Sequence, residues 1–188
     1  AAPLAPSVQV LDLPFLFPSR AVTYKVVDGG AGAAIMAPLE KVNIKGLAFW
    51  ESGFKQFTGN FAIRTPADYR GTKIRTMPAP VIQEQFKAFG AVPTSIAFAE
   101  LYSALQQKVV DGQENPIATI AAMRFFEVQK HMTRSDHGFL AYVFMVNKAF
   151  FDKLPADQRD IVAAAAREAR DYQREIIAKA EVAHVETF

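Results

Sequence analysis

Between residues 73 and 130 the chain repeats one pattern three times: a short run of β-forming residues, a break, and then a stretch with helical spacing. Each helix carries the chain back across the sheet, so successive strands run the same way, and the alternation predicts an α/β fold with a largely parallel sheet. The first unit is a strand over 73–77 that meets Pro78 and Pro80 and passes into a helix over 81–89. Ile82, Phe86 and Phe89 share one face of that helix, and Gly90 ends it. The second unit runs from a strand over 92–98 into a helix over 99–108, and the third from a strand over 109–114 through Asn115-Pro116 into a helix over 117–130.

The flanks are read by the same rules. Residues 8–13 favour a short strand that stops at Pro14, which cannot donate to a ladder. Ser19 caps a helix over 20–27, the Asp28-Gly29-Gly30 run closes it, and a second helix follows over 33–42. Residues 47–51 read as a buried strand. The stretch 136–147 is apolar on both faces and long for a strand, as expected of a central strand or one running between lobes. After Pro155 an unbroken helical pattern runs to the end, with Ile161, Ala165, Ala169, Tyr172, Ile176, Ala180 and Ala183 on one stripe. At 1.5 Å per residue that helix is about 45 Å long, the width of two small lobes. A helix of that length is expected to bridge two lobes.

Composition removes several function classes. With 51% hydrophobic residues and a formal charge of +2, from 21 Lys+Arg against 19 Asp+Glu, the chain is a packed globule rather than a disordered one. Its interspersed charges lack the basic stripe that neutralises a phosphate backbone, so no nucleic-acid partner is expected. The longest apolar run, 139–146, falls far short of the about 20 residues that cross a bilayer. Without Cys there is no thiolate nucleophile, Cys-ligated zinc or disulfide, and the compartment stays open. The first six residues lack the basic and apolar regions of a signal peptide and read as a mature or cut end.

In an open α/β sheet, ligands sit beyond the carboxyl ends of the parallel strands. Arg75, Phe98 and Asn115 mark those ends and would bring a cation, an aromatic face and an amide to one crevice. An arginine fork matches the two oxygens of a carboxylate, which makes Arg75 the candidate clamp; the other reading is a surface arginine paired with an acid. Asn115 before Pro116 is equally explained as a helix cap. Phe98 is one of 16 Phe, for which core packing is the default. His131 and His137 stand six apart, unlike a helical zinc pair, so no metal is expected. Gly29-Gly30-Ala31-Gly32 follows a helix and reads as a helix stop rather than a phosphate loop. Glu100 and Glu114 lack a companion nucleophile or water site, and both suit a helix N-terminus.

With those residues placed, the strings themselves become informative. GTKIRTMP at 71–78, FAELYSAL at 98–105, VDGQENP at 110–116 and FEVQK at 126–130 resemble the DctP-type substrate-binding proteins of TRAP transporters. LPFLF at 13–17, LAFWE at 47–51 and the Gly53-Phe54 pair fit in the same order. The resemblance implies a two-lobe architecture like that of type II periplasmic binding proteins, with a partial first lobe over 1–52, a second lobe over 53–140, and a crossover strand with the lobe-spanning helix over 141–188; it also implies a periplasmic location and no enzymatic activity. It implies capture of a small mono- or dicarboxylate and its delivery to a sodium-driven membrane permease, with no cofactor. By the same likeness Arg75 pairs with the carboxylate, Asn115 supports it and Phe98 lines the cleft. Tyr142 lies on a strand that contributes a further contact, and Trp50 precedes another.

Two departures qualify those expectations. Many relatives carry a second arginine after the Gly-Phe pair where this chain has Lys55, a point charge without the fork, so Lys55 is taken as a ligand contact of altered preference. Relatives also begin with a βαβ segment and continue past the long helix, so the chain reads as an N-terminally truncated fragment whose strands pair differently or are completed in a domain-swapped homodimer. The competing functions are a small-molecule hydrolase or lyase using Glu114 or His137, and a self-associating fragment that binds nothing.

Overall fold

The computed structural model describes residues 4–185. Its elements, in chain order, are α1 (Arg20–Val27), α2 (Gly30–Met36), β1 (Ile44–Gly59), β2 (Lys73–Thr76), α3 (Pro80–Ala88), β3 (Val92–Ser95), α4 (Leu101–Gln106), β4 (Gly112–Pro116), α5 (Ile117–Ala122), β5 (His131–Thr133), β6 (Phe139–Asn147), α6 (Lys148–Lys153) and α7 (Ala156–Val185). Short 3-10 helices at Pro6–Asp12, Ala37–Val42, Pro66–Tyr69, Phe98–Glu100 and Phe125–Glu127 join them.

β1 is the spine. Its first part pairs antiparallel with β6, from Ile44 opposite Asn147 to Phe54 opposite Phe139, and its last residues pair antiparallel with β4 and β5. The ladder with β6 slips at Gly53, whose φ of +125° suits glycine and whose missing Cβ lets Pro116 approach. Strand order is β3-β2-β4-β1-β5, with β6 beside β1. The expectation of a largely parallel sheet is corrected: only β3, β2 and β4 are parallel to one another, and the sheet is mixed. Parallel pairing is confined to the strands that helical crossovers connect, α3 between β2 and β3 and α4 between β3 and β4.

Three apolar clusters hold these layers. Phe57, Tyr69, Ile74, Ile82 and Phe86 pack β1 and β2 against α3. Leu11, Phe17, Val27, Phe49, Phe54 and Phe139 pack the β1–β6 ribbon against α1 and the first 3-10 segment. Leu101, Leu105, Val110, Ile120 and Phe125 enclose α4 and α5.

Several local expectations change. Residues 8–13 do not form a strand: Pro6 sits in the first turn of a 3-10 helix, its fixed φ suiting that turn, and Leu11 turns into the core. The 47–51 strand is the middle of a strand three times longer, because from Glu51 onward β1 is buried on both faces and shows no alternation. The helix expected over 117–130 stops early, with Arg124 in the left-handed region, and is followed by 3-10 helix and β5. α6 was not anticipated, although Asn147 caps it by accepting from the Phe150 N–H at 2.9 Å. Ser19 caps α1 through the Val22 N–H, as expected.

The largest correction concerns α7. Its 30 residues span about 45 Å, but the apolar stripe does not face the protein: Ile161, Tyr172 and Ile176 are exposed, Tyr172 by 67%. The packed face carries the buried Ala166 and Arg174 and is fixed by polar contacts. Arg174 is buried with its guanidinium bidentate to Asp28 at 2.7 and 2.9 Å, donating also to the Phe49 carbonyl at 2.7 Å and lying over the Tyr24 ring. Gln173 exchanges two hydrogen bonds with the Glu51 backbone. Charge-assisted and backbone partners of this quality fix the helix rotation that periodicity assigned to the other face. The final residues of the predicted helix, 186–188, lie outside the described residues.

Candidate functional site

The carboxyl ends of the parallel strands open onto a cavity of about 460 Å³. β2 delivers Arg75 to its wall, the connection after β3 delivers Phe98, and β4 delivers Asn115. α5 adds Thr119, β6 adds Tyr142, and the first 3-10 segment adds Asp12. The rest of the lining is apolar, from that 3-10 segment, the β2–α3 and β3–α4 connections and the start of β6.

Arg75 is 4% exposed, yet no acid lies within salt-bridge distance of it among the described residues. Its Nε donates to the Ile96 carbonyl at 3.0 Å, and its guanidinium carbon lies 5.8 Å from the centre of the Phe98 ring. Burial lowers its pKa, with Glu114 pulling the other way, and a guanidinium remains charged regardless. A desolvated cation without a counter-ion is costly, and Arg75 lines a cavity whose walls suit a small anion.

Asn115 is buried and does not cap α5, whose N-cap is Pro116; this removes the capping explanation. Its amide donates to the Gln113 side chain, which donates in turn to Thr58 Oγ1 at 2.8 Å, so the amide is held in a relay across β4 and β1. Phe98 is 42% exposed and meets Phe125 edge-on, which leaves part of its ring open to the cavity. Tyr142 is half exposed; its hydroxyl donates to Ser52 Oγ at 3.1 Å, and Ser52 Oγ lies 3.3 Å from Thr119 Oγ1. Three hydroxyls thus join β6, β1 and α5 beside the cavity.

Two of the residues singled out from sequence lie outside this lining. Trp50 stacks on Phe144 at 5.4 Å on the β1–β6 ribbon. Lys55 is 2% exposed and spent internally, its Nζ 3.1 Å from Glu114 Oε1 and 3.4 Å from Asp12 Oδ1. Glu114 also bonds His137 Nε2 at 2.9 Å, and His137 stacks on Phe57 at 3.9 Å while its Nδ1 meets Ser135 Oγ at 2.8 Å. Burial pushes the Glu114 carboxyl up, but Lys55 and His137 outweigh that and hold it below its ordinary value. Burial raises the Asp12 carboxyl against the pull of Lys55. Glu114 and His137 satisfy one another in the interior and neither lines the cavity. Asp12, Ser52 and Thr119 escaped the sequence reading, because no spacing rule links residues 12, 52 and 119. Among the described residues no helix is long and apolar enough to cross a membrane.

Comparison with known proteins gives this cavity a context. The family model for bacterial extracellular solute-binding proteins, family 7, DctP, matches residues 1–188. The chain is 44% identical over 164 residues to the C4-dicarboxylate-binding periplasmic protein DctP of Rhodobacter capsulatus, covering 87% of this chain and 49% of that protein. It is 40% identical over 179 residues to the 2,3-diketo-L-gulonate-binding periplasmic protein YiaO of Escherichia coli K12, covering 95% and 55%. It therefore spans about half the length of these curated relatives. Among solved structures, a TRAP periplasmic solute-binding protein from Polaromonas sp. JS666 bound to D-erythronate superposes with a TM-score of 0.95 at 35% identity, over 99% of this chain and 62% of that one. One from Shewanella oneidensis with bound succinate gives 0.93 at 35%, over 98% and 61%. The fold is thus the mixed α/β architecture of TRAP periplasmic binding proteins, and the chain belongs to the DctP family of bacterial extracellular solute-binding proteins.

Proposed function

We propose that this chain carries much of the ligand site of a TRAP-type solute-binding protein, which captures a small organic acid in the periplasm and delivers it to a sodium-driven membrane permease. The observation that carries this reading is the buried Arg75, which lines the cavity with no acid within salt-bridge distance among the described residues. Its fork would hold the ligand carboxylate, Asn115 would support the same group, and Phe98 and Tyr142 would line the cleft. Relatives whose printed names or bound ligands are organic acids, D-erythronate and succinate among them, support the class of ligand.

The mutual satisfaction of Glu114 and His137, away from the cavity, favours binding over a hydrolase or lyase reaction. Lys55 is reassigned from ligand contact to the internal partner of Glu114 and Asp12. The ladder slip at Gly53 supports placing the lobe boundary near residues 52 and 53, with β1 and α7 as the elements common to both lobes. Titration calorimetry with a panel of organic acids tests the proposal. At least one acid binds and is recovered chemically unchanged, and Arg75→Ala weakens it by about 2–5 kcal/mol, the cost of breaking a desolvated charge pair. Full retention of binding in that variant overturns the reading.

A further inference from the structure

A chain of buried polar side chains runs through the sheet from Asn115 to the backbone of Val128. Asn115 Nδ2 donates to Gln113 Oε1, Gln113 Nε2 donates to Thr58 Oγ1 at 2.8 Å, and the Thr58 hydroxyl donates to Gln129 Oε1 at 3.2 Å. Gln129 Nε2 then donates to the Val128 carbonyl at 3.1 Å and lies 3.4 Å from Asn60 Oδ1. The sheet sets up these meetings. Gln113 and Asn115 stand two apart on β4 and so share a face, and Thr58 on β1 is the register partner of Gln113. On its other side Gln113 is the register partner of Arg75 on β2. All four side chains of the chain are buried, and Thr58 and Gln129 lie outside the lining of the Arg75 cavity, which Asn115 helps to form.

Every link has a donor end and an acceptor end, and one fixed group orders them all. A backbone carbonyl only accepts, so Gln129 turns its nitrogen to Val128 and its oxygen to Thr58. That oxygen takes the Thr58 hydroxyl proton and leaves Thr58 Oγ1 as an acceptor for Gln113. Gln113 therefore spends its nitrogen on Thr58 and turns its oxygen to Asn115, which answers with its own nitrogen. Turning the Asn115 amide over would set two carbonyl oxygens against each other in the interior, where an unpaired polar group is costly. We infer that Thr58 and Gln129 are positioning residues for ligand binding, which fix the polarity of the Asn115 amide through Gln113 and leave its second N–H as a standing donor for an anionic ligand. The inference rests on the organic-acid reading above and assigns part of the recognition to side chains outside the cavity wall. An amide free to turn over would present its oxygen to an anion in some orientations and lose affinity to the reordering; this one is set before a ligand arrives.

The test is calorimetric titration with succinate, L-lactate and D-erythronate. It is run on the protein, on Thr58→Val, Thr58→Ser, Gln129→Met and Asn115→Ala, and on Thr58→Val and Gln129→Met each combined with Asn115→Ala. Valine keeps the branched shape of threonine and removes the hydroxyl, and methionine keeps the length of glutamine and removes the amide. The best-bound acid is expected to lose about fivefold in affinity in Thr58→Val, the effect of one neutral hydrogen bond, and to lose affinity in the same direction in Gln129→Met. Thr58→Ser, which restores the hydroxyl, should bind within about twofold of the protein. In the Asn115→Ala background Thr58→Val and Gln129→Met should change affinity by less than about twofold, because the amide they orient is gone; a merely structural role would weaken binding equally in both backgrounds. Should Thr58→Val fail to fold, Gln129→Met cuts the same relay at its anchor and decides the matter. The inference is overturned if the folded relay variants bind as the protein does, if Thr58→Ser binds as weakly as Thr58→Val, or if the losses persist undiminished without Asn115. Binding that Arg75→Ala abolishes and the relay variants leave untouched overturns this inference alone. Binding of none of the three acids by the protein overturns the organic-acid reading and this inference with it.

Discussion

Two buried cations near the same sheet show how opposite environments give one kind of charge different work. Lys55 and Arg75 are 2% and 4% exposed, and the chain supplies acids to only one of them. Lys55 enters the interior between Glu114 and Asp12 and closes an ionic network that ties β1, β4 and the first 3-10 segment together. Arg75 has a carbonyl and a ring for company, and it lines a cavity. A buried charge with internal partners stabilises a particular packing, whereas one without them waits for a partner from outside.

Substitutions that move these two residues in opposite directions sharpen the contrast. The largest effect belongs to Lys55→Met. Removing one partner of a buried pair leaves Glu114 and Asp12 facing each other without a cation, and urea unfolding is expected to show a loss of about 3–5 kcal/mol. Arg75→Lys should leave unfolding nearly unchanged and instead weaken binding of an organic acid by about 1.5–3 kcal/mol, since a point charge keeps the attraction but loses the paired hydrogen bonds. Calorimetric titration beside a melting curve separates the two outcomes.

A pH series addresses the Lys55 side of the comparison alone. The Glu114 carboxyl is held below its ordinary 4.5, so it contributes stability that is present above that value and lost as pH falls through the lowered pKa of the folded state. Asp12, raised by burial, contributes in the opposite sense, because its protonation on the way down relieves a buried charge. Stability measured by urea unfolding from pH 7 to pH 3 should therefore fall most steeply below 4.5, and Glu114→Gln should flatten that limb. The smallest effect belongs to Phe98→Leu, which removes the ring beside the Arg75 guanidinium and should cost about 0.5–1 kcal/mol of binding with little change in melting.

The same contrast explains how much was legible in the sequence. The β2–α3–β3–α4–β4 path was readable because strands joined by helices must alternate in pattern as well as in space, and the strand ends then pointed to Arg75, Phe98 and Asn115. The partners of Lys55 were not readable: Asp12 and Glu114 lie 43 and 59 residues away in sequence, and no local period encodes such a meeting. The length of β1 was hidden because burial on both faces erases alternation. For α7, apolar spacing named a stripe, but the bidentate Arg174–Asp28 pair and the Gln173–Glu51 exchange decided which face turned inward. The residues 8–13 lost their strand assignment to Pro6 and to a core that wanted Leu11.

The claim that Arg75 serves a ligand carboxylate is tested most directly by the thermal protection that saturating organic acids give to the protein and to Arg75→Met. The protein should melt at a higher temperature with at least one acid, by the linkage of binding to folding. Arg75→Met, free of an uncompensated buried charge, should melt no lower than the protein without ligand and should gain nothing from the acid. Equal protection of the two, or a variant that unfolds much earlier in the absence of any acid, would show that the guanidinium serves the fold and not a ligand.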